Sequence, residues 1–342
     1  MNIAPYKPSL IRELGAERLT LTHEKRRVET QDASADNDRR PASALYDPLP
    51  CGAAVRPNGG AAEHRATARA LCFCVDDFGL HDNVYGAAVM LIAMGRVHAV
   101  SCLTGPRSWT DCAPGLSRID SENLDVGLQL DLTEFPLAIR PFDSLGALIA
   151  RSYTGRLDRR AIRSEIRAQL NEFEDEMDRP PAFVDGHRNV HQLPVVRTEL
   201  LEELKSRYPL SPPWVRSTRT GESAWFGTGK AHAIDALGAR AFTSQAHRSG
   251  VPSNSRLFGV YDFLGGTRRY RSLMRGWLAA AQDADLVRCH PSLMADAEDL
   301  LSSAQRAQYD VLASAAFGAM LANERIELKP MSQILKPAGA SA

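Results

Sequence analysis

The sequence predicts an α/β fold whose parallel sheet closes, or nearly closes, into a barrel, and three observations lead there. From Ala70 onward short strand-like runs alternate with helical stretches, the order that threads helices between parallel strands. Several runs stop abruptly at polar side chains: Asp76 and Asp77, Gln129, His187 and His290. At the carboxyl edge of a parallel sheet, side chains escape the packed interior and face the loops, where catalytic groups collect. Finally, 342 residues suffice for one barrel of the ~250 residues such folds need, or for two ordinary domains.

The first strand is Leu71 to Val75, delivering Asp76 and Asp77, and a helix follows from Val84 to Met94. Val97 to Leu103 is β-branched and reads as strand two. A loop containing Pro106, Trp109 and Pro114 leads to Leu124–Leu132, whose period of two makes it strand three and puts Gln129 and Asp131 on one face. Asp158 is placed to cap a helix with Ile162, Ile166, Leu170, Phe173 and Met177 on one stripe, a core face. Ala182–Asp185 is a short strand ending at Gly186 and His187; Pro194 then opens a helix with Val196, Leu200 and Leu204 inward. Trp214–Arg216 and Leu286–Cys289 are further short runs ending in polar side chains, and there is no internal repeat.

Residues 1–69 differ in character. From Glu24 to Arg69 charge is mixed with Ala, Pro, Gly, Asp and Asn without periodicity, a composition that buries too little apolar area to offset its ordering entropy. It is expected to be a disordered or loosely packed extension. Lys plus Arg and Asp plus Glu both total 41, so the balanced charge gives no reason to expect nucleic acid or an anionic membrane as partner. The six cysteines (51, 72, 74, 102, 112 and 289) form no CxxC pair and read as reduced, buried thiols. No basic-then-apolar leader and no span of ~20 apolar residues is present; a soluble, cytoplasmic protein is expected.

Singly, each strand-end group has an ordinary reading: a solvated Asp pair beside a helix cap, or a histidine in a structural hydrogen bond. Together, carboxylates and imidazoles converging at one barrel mouth are the hard-oxygen and borderline-nitrogen donors that a hydrolytic divalent metal uses. His81, His98, His232 and His247 show no such spacing.

Five ordered motifs carry a family resemblance: Val75–Leu80 with Asn83, Gly95–Val97 leading to Ser101, Val126–Thr133, Asp185–His191 with Pro194, and Cys289–Pro291. Over roughly residues 70–335 the chain resembles YdjC-like carbohydrate deacetylases, and it looks like the branch associated with hopanoid biosynthesis. The resemblance implies a distorted TIM-like barrel, a tail from 336, and hydrolytic removal of N-acetyl groups from amino sugars of chitooligosaccharide or glycolipid type. It implies a divalent metal, magnesium or zinc foremost, held by Asp77 and His187, with Asp76 as general base. His290 would protonate the leaving amine or stabilise the oxyanion. Arg216 and the Asn254–Gly259 run resemble segments on the sugar-binding side. His191, Trp214 and Phe258 join them as substrate-side candidates, with core packing the other reading of Trp214 and Phe258. A homodimer is the oligomer the resemblance suggests.

The departures bear on activity. The third ligand position, a histidine in the family, is Gln129, and Arg188, Asn189 and Ser292 stand where Gln, His and Gly are usual. A neutral amide oxygen is a weaker donor than imidazole, and Arg188 adds positive charge. Weakened metal affinity is expected, and the alternative function is a catalytically impaired barrel that binds a glycan or a partner. Another metallohydrolase chemistry on the same fold is a third reading.

Overall fold

The structure is a computed structural model that describes residues 68–119, 122–220, 229–295 and 300–336. Residues 1–67 of the expected extension, the tail from 337, and Cys51 lie outside the described residues.

Eight strands form one parallel sheet: β1 (Arg69–Phe78), β2 (Ala99–Cys102), β3 (Asp125–Leu130), β4 (Phe183–Gly186), β5 (Trp214–Val215), β6 (Leu257–Phe258), β7 (Asp285–Cys289) and β8 (Ile326–Leu328). The order is β5-β4-β3-β2-β1-β7-β6, with β8 pairing alongside the start of β1. Beyond the two outer strands a single bridge, Val215 to Ser253, links the β5 side to the segment before β6. The sheet is thus the incompletely closed barrel of a distorted TIM-like fold.

The alternation of β1 explains how it faces two cores. Leu71, Phe73 and Val75 pack outward in the large cluster under the helices. Cys72 and Cys74 point the other way, into a smaller cluster with Ala99, Phe183, Trp214 and Leu286. Small residues on β1 to β3 leave room there for the rings from β4 and β5, which stack with centroids 4.3 Å apart. Gly127 is part of that fit, since a Cβ on it would lie 2.4 Å from the Phe183 ring.

The helix Arg159–Met177 begins where Asp158 accepts hydrogen bonds from the N–H groups of Arg160 and Ala161, and its predicted stripe is buried. The segment read as a loop around Trp109 and Pro114 is instead a helix, Trp109–Ser117. Pro114 removes one N–H donor, but Trp109, Cys112, Ala113 and Leu116 bury a continuous face that holds the helix. Asp131, expected beside Gln129 on the strand face, lies just past β3. Its carboxylate accepts from the Thr133, Glu134 and Phe135 N–H groups and organises the loop. The five described cysteines are free and buried. No helix among the described residues is long and apolar enough to cross a membrane.

Candidate active site

Two adjacent acids cannot both face the barrel mouth from a regular strand, because successive side chains alternate. Here β1 solves this with an irregularity. Its register against β2 shifts between Val75 and Phe78, and Asp77 takes φ of 60°, in the left-handed region. Asp tolerates that region better than most residues. Asp76 keeps the inward direction of Cys74, and Asp77 is rotated onto the same edge.

Asp76 is the buried member, 2% exposed. Arg216, immediately after β5, donates from Nη1 to Asp76 Oδ2 and from Nη2 to Asp76 Oδ1, both at 2.7 Å. Nη2 also stands 2.7 Å from Asp185 Oδ2, and Asp185 Oδ1 accepts from Ser101 Oγ at 2.6 Å. Burial alone would raise the Asp76 pKa, but the Arg216 charge and hydrogen bonds overcome it and hold the carboxyl below its usual range. Asp185 shares that single cation with Asp76, and burial pushes its pKa up. Asp76, expected as a free general base, therefore has both oxygens occupied. Arg216, expected on the substrate side, is sealed inside as its partner.

Asp77 is more accessible and pairs with His187, the first residue after β4. His187 Nδ1–H donates to Asp77 Oδ1 at 3.1 Å, and its Nε2 faces Glu134 Oε1 at 3.6 Å. Burial disfavours the Asp77 anion, but that hydrogen bond and the surrounding positive charge, Arg288 included, lower its pKa. The same bond outweighs burial at His187 and raises its pKa to about 9. Arg188 forms an ion pair with Glu134 on the outer side. Arg188 and Asn189 both adopt positive φ, 52° and 60°, so the chain after His187 turns back sharply.

His290 follows β7. Its Nε2 lies 3.8 Å from Asp76 Oδ2 and 3.9 Å from Asp77 Oδ2, distances that suit a bridging water better than direct bonds. Burial lowers its pKa despite the two carboxylates. Its backbone N–H donates to Gln308 Oε1 and its ring meets Phe263 edge-on at 5.3 Å, which fixes its position.

The other substrate-side candidates are turned to structure. Trp214 is buried, stacked on Phe183, and donates from Nε1 to Asp125 Oδ2 at 3.0 Å. His191 is buried; it donates from Nε2 to the Arg216 carbonyl at 2.9 Å, and burial drops its pKa to about 4. Phe258 is half-buried under the Arg256 guanidinium. Arg288 is the group that sequence reasoning missed. It is only 8% exposed, its charge acts on both Asp76 and Asp77, and an inward position two residues before His290 was the available signal.

The donor set fits a divalent ion poorly. Asp77 and His187 are the two close donors, while Gln129 Oε1 is occupied by the Asp77 backbone N–H at 3.3 Å. Among the described residues no three His, Cys, Asp or Glu side chains gather so as to hold a metal ion. Zinc sites of the catalytic kind use three protein ligands, and here only Asp77 and His187 stand close together. Nor does a cysteine serve as nucleophile, since burial raises the Cys72, Cys74 and Cys289 thiols well above their usual pKa.

Beside this edge the loops after β1, β2 and β3 line a groove of about 660 Å³ that includes Leu80, His81, Arg107 and Phe135, a volume in the range of small-molecule sites.

The family model described as YdjC-like protein matches residues 70–323. Among solved structures, a protein of Enterococcus faecalis V583 described as a candidate cellobiose-phosphate cleavage protein is 17% identical, with 79% of this chain and 100% of that one covered and a TM-score of 0.59. The Xyl-CE4 domain of a multidomain xylanase from the hindgut metagenome of Trinervitermes trinervoides is 10% identical over 78% of this chain and 90% of that one, with a TM-score of 0.42. An uncharacterized protein of Agrobacterium tumefaciens C58 is 13% identical over 79% and 90%, again with a TM-score of 0.42. No curated protein matches the sequence.

Proposed function

The chain belongs to the YdjC-like family, and on that footing we propose that it is a hydrolase that removes N-acetyl groups from amino sugars. One observation carries the reading: the His290 imidazole stands 3.8 and 3.9 Å from the carboxylates of Asp76 and Asp77 at the carboxyl edge of the sheet.

The chain's own groups supply a proton path. Burial favours the neutral form of the His290 imidazole, the form able to take a proton from a water placed between Nε2 and the carboxylates. That water oxygen bonds to the acetamide carbon. Asp76 and Asp77 stabilise the imidazolium so formed. When the C–N bond breaks, His290 returns the proton to the departing nitrogen, giving the free amine and acetic acid, which ionises to acetate in solution. Asp76, held by Arg216, acts as a fixed charge rather than a base, and Asp77 is held in place by His187.

Acetate release from N-acetylated chitooligosaccharides, with an acetylated glycolipid in parallel for the hopanoid branch, tests this. H290A and D77N should each lower the rate by roughly 10²-fold or more, the usual weight of a proton-transfer group. Release that survives H290A unchanged would overturn the assignment.

A second reading, a barrel that binds an acetylated sugar without turnover, is favoured by the double occupation of Asp76 and the engaged oxygen of Gln129. Calorimetric binding of the same oligosaccharides with no acetate released would select it.

A further inference from the structure

Arg288 is a buried charge with few partners among the described residues. It lies on β7 opposite Cys74 of β1, and it shares that residue's inward face with Asp76. It is more than nine-tenths buried. Its hydrogen bond is a long 3.5 Å contact from Nη1 to Asn189 Oδ1, and Nε has no partner. A buried cation with so few partners costs several kcal/mol unless nearby charge compensates it. The compensation comes from Asp76 and Asp77, beyond salt-bridge distance but close enough that Arg288 lowers the pKa of each.

We propose that Arg288 is the resident cation of this site, standing in for a divalent ion: its guanidinium faces the carbonyl oxygen of the bound acyl group and takes up the negative charge that forms there. Three features of the chain agree. The third ligand position holds a neutral amide, Gln129, and an additional dication would meet permanent guanidinium charge from Arg288 and Arg216. Arg288 also has unused donor capacity, which an oxyanion satisfies. Asn189, held by its left-handed backbone, is the neighbour that steadies the guanidinium.

The step rests on the hydrolase reading. Water's oxygen bonds to the carbonyl carbon and its proton goes to His290, while the C=O π pair moves to oxygen and is met by Arg288. Collapse restores the carbonyl, breaks the C–N bond and moves the proton from His290 to nitrogen. Such preorganised donors act most strongly in a water-excluded site.

The test separates charge from activity. Zinc and manganese are titrated calorimetrically into the wild-type protein, R288M, R288Q, R288K and Q129H/R288M, with circular dichroism and thermal melting confirming folding. Expected is no saturable site in wild type or R288K, a gain in the neutral variants, and about one ion per chain in Q129H/R288M, bound at least ~10²-fold tighter than by wild type. One tight ion per wild-type chain overturns the proposal, as does a folded Q129H/R288M that gains nothing. Acetate release is read on the same samples, with R288M expected to lose ~10²-fold or more in kcat and R288K less. If wild type releases no acetate but the metal pattern holds, the hydrolase reading fails while Arg288 stays the site's cation.

Discussion

Removing the Arg216 charge, as in R216M, should damage stability more than any surface substitution. Its guanidinium serves two carboxylates at once: both Asp76 oxygens at 2.7 Å and Asp185 Oδ2 at 2.7 Å, with side-chain exposures of 2% or less throughout. Methionine fills most of the volume and leaves two buried acids without a cation. Breaking a buried pair from one side costs about 3–5 kcal/mol, which for a domain of this size lowers Tm by roughly 6–20 °C. The pH dependence gives a second readout. In the wild type the depressed Asp76 pKa contributes stability that is present above the unfolded value of 3.8 and lost as pH falls through the folded one. In R216M the sign reverses, because burial then dominates and ionisation opposes folding. The gap between the two proteins should widen from about pH 4 upward. Urea unfolding at pH 4.5 and 7.5 measures it, and R216M/D76N/D185N should recover most of the loss. A cost below ~1 kcal/mol at pH 7.5, or one independent of pH, would refute the triad as the lock on Asp76.

His187 behaves oppositely. Its folded pKa, raised from 6.5 to about 9, contributes stability fully present below pH 6.5 and lost as pH rises through about 9, of order 3 kcal/mol at ~1.4 kcal/mol per pKa unit. The advantage of wild type over H187N in urea melts should shrink across that window. G127A should cost about 1–3 kcal/mol by overpacking against Phe183, and adding F183L should reduce that cost. Glu165 accepts from the N–H groups of Leu137, Ala138 and Ile139; E165A strands three donors, at about 1–3 kcal/mol for each that stays buried. Hydrogen exchange at those three amides should accelerate.

What the sequence made legible is what local patterning encodes. The apolar run before Asp76 and Asp77 and the stripe from Ile162 to Met177 are repetitive features of single segments, whereas β6 and β8, two and three residues long, are too short to show a pattern. Trp109–Ser117 was hidden because Pro114 argues against a helix locally while the burial that sustains it comes from tertiary packing. The site itself was half legible. Asp77, His187 and His290 announce themselves at strand ends, but the partner of Asp76 lies 140 residues away across the barrel. Nothing near Arg216 in sequence tells an inward ion pair from a sugar contact. Glu165 and Gln169, on the same helix as the apolar stripe, carry no local signal of their role, yet both are buried and grip the loop after β3. Trp214 reads equally as sugar platform or core, and only the facing Phe183 and Asp125 decide for the core.

The proposed function has this barrel edge hydrolyse an acetamide with charge supplied by its own side chains. It is tested most directly by assaying acetate release and metal content on one wild-type preparation before and after chelator treatment. The account predicts release from N-acetylated chitooligosaccharides that persists after chelation, with metal far below one ion per chain. Release that disappears with the chelator and returns when one equivalent of zinc or manganese is added would contradict it.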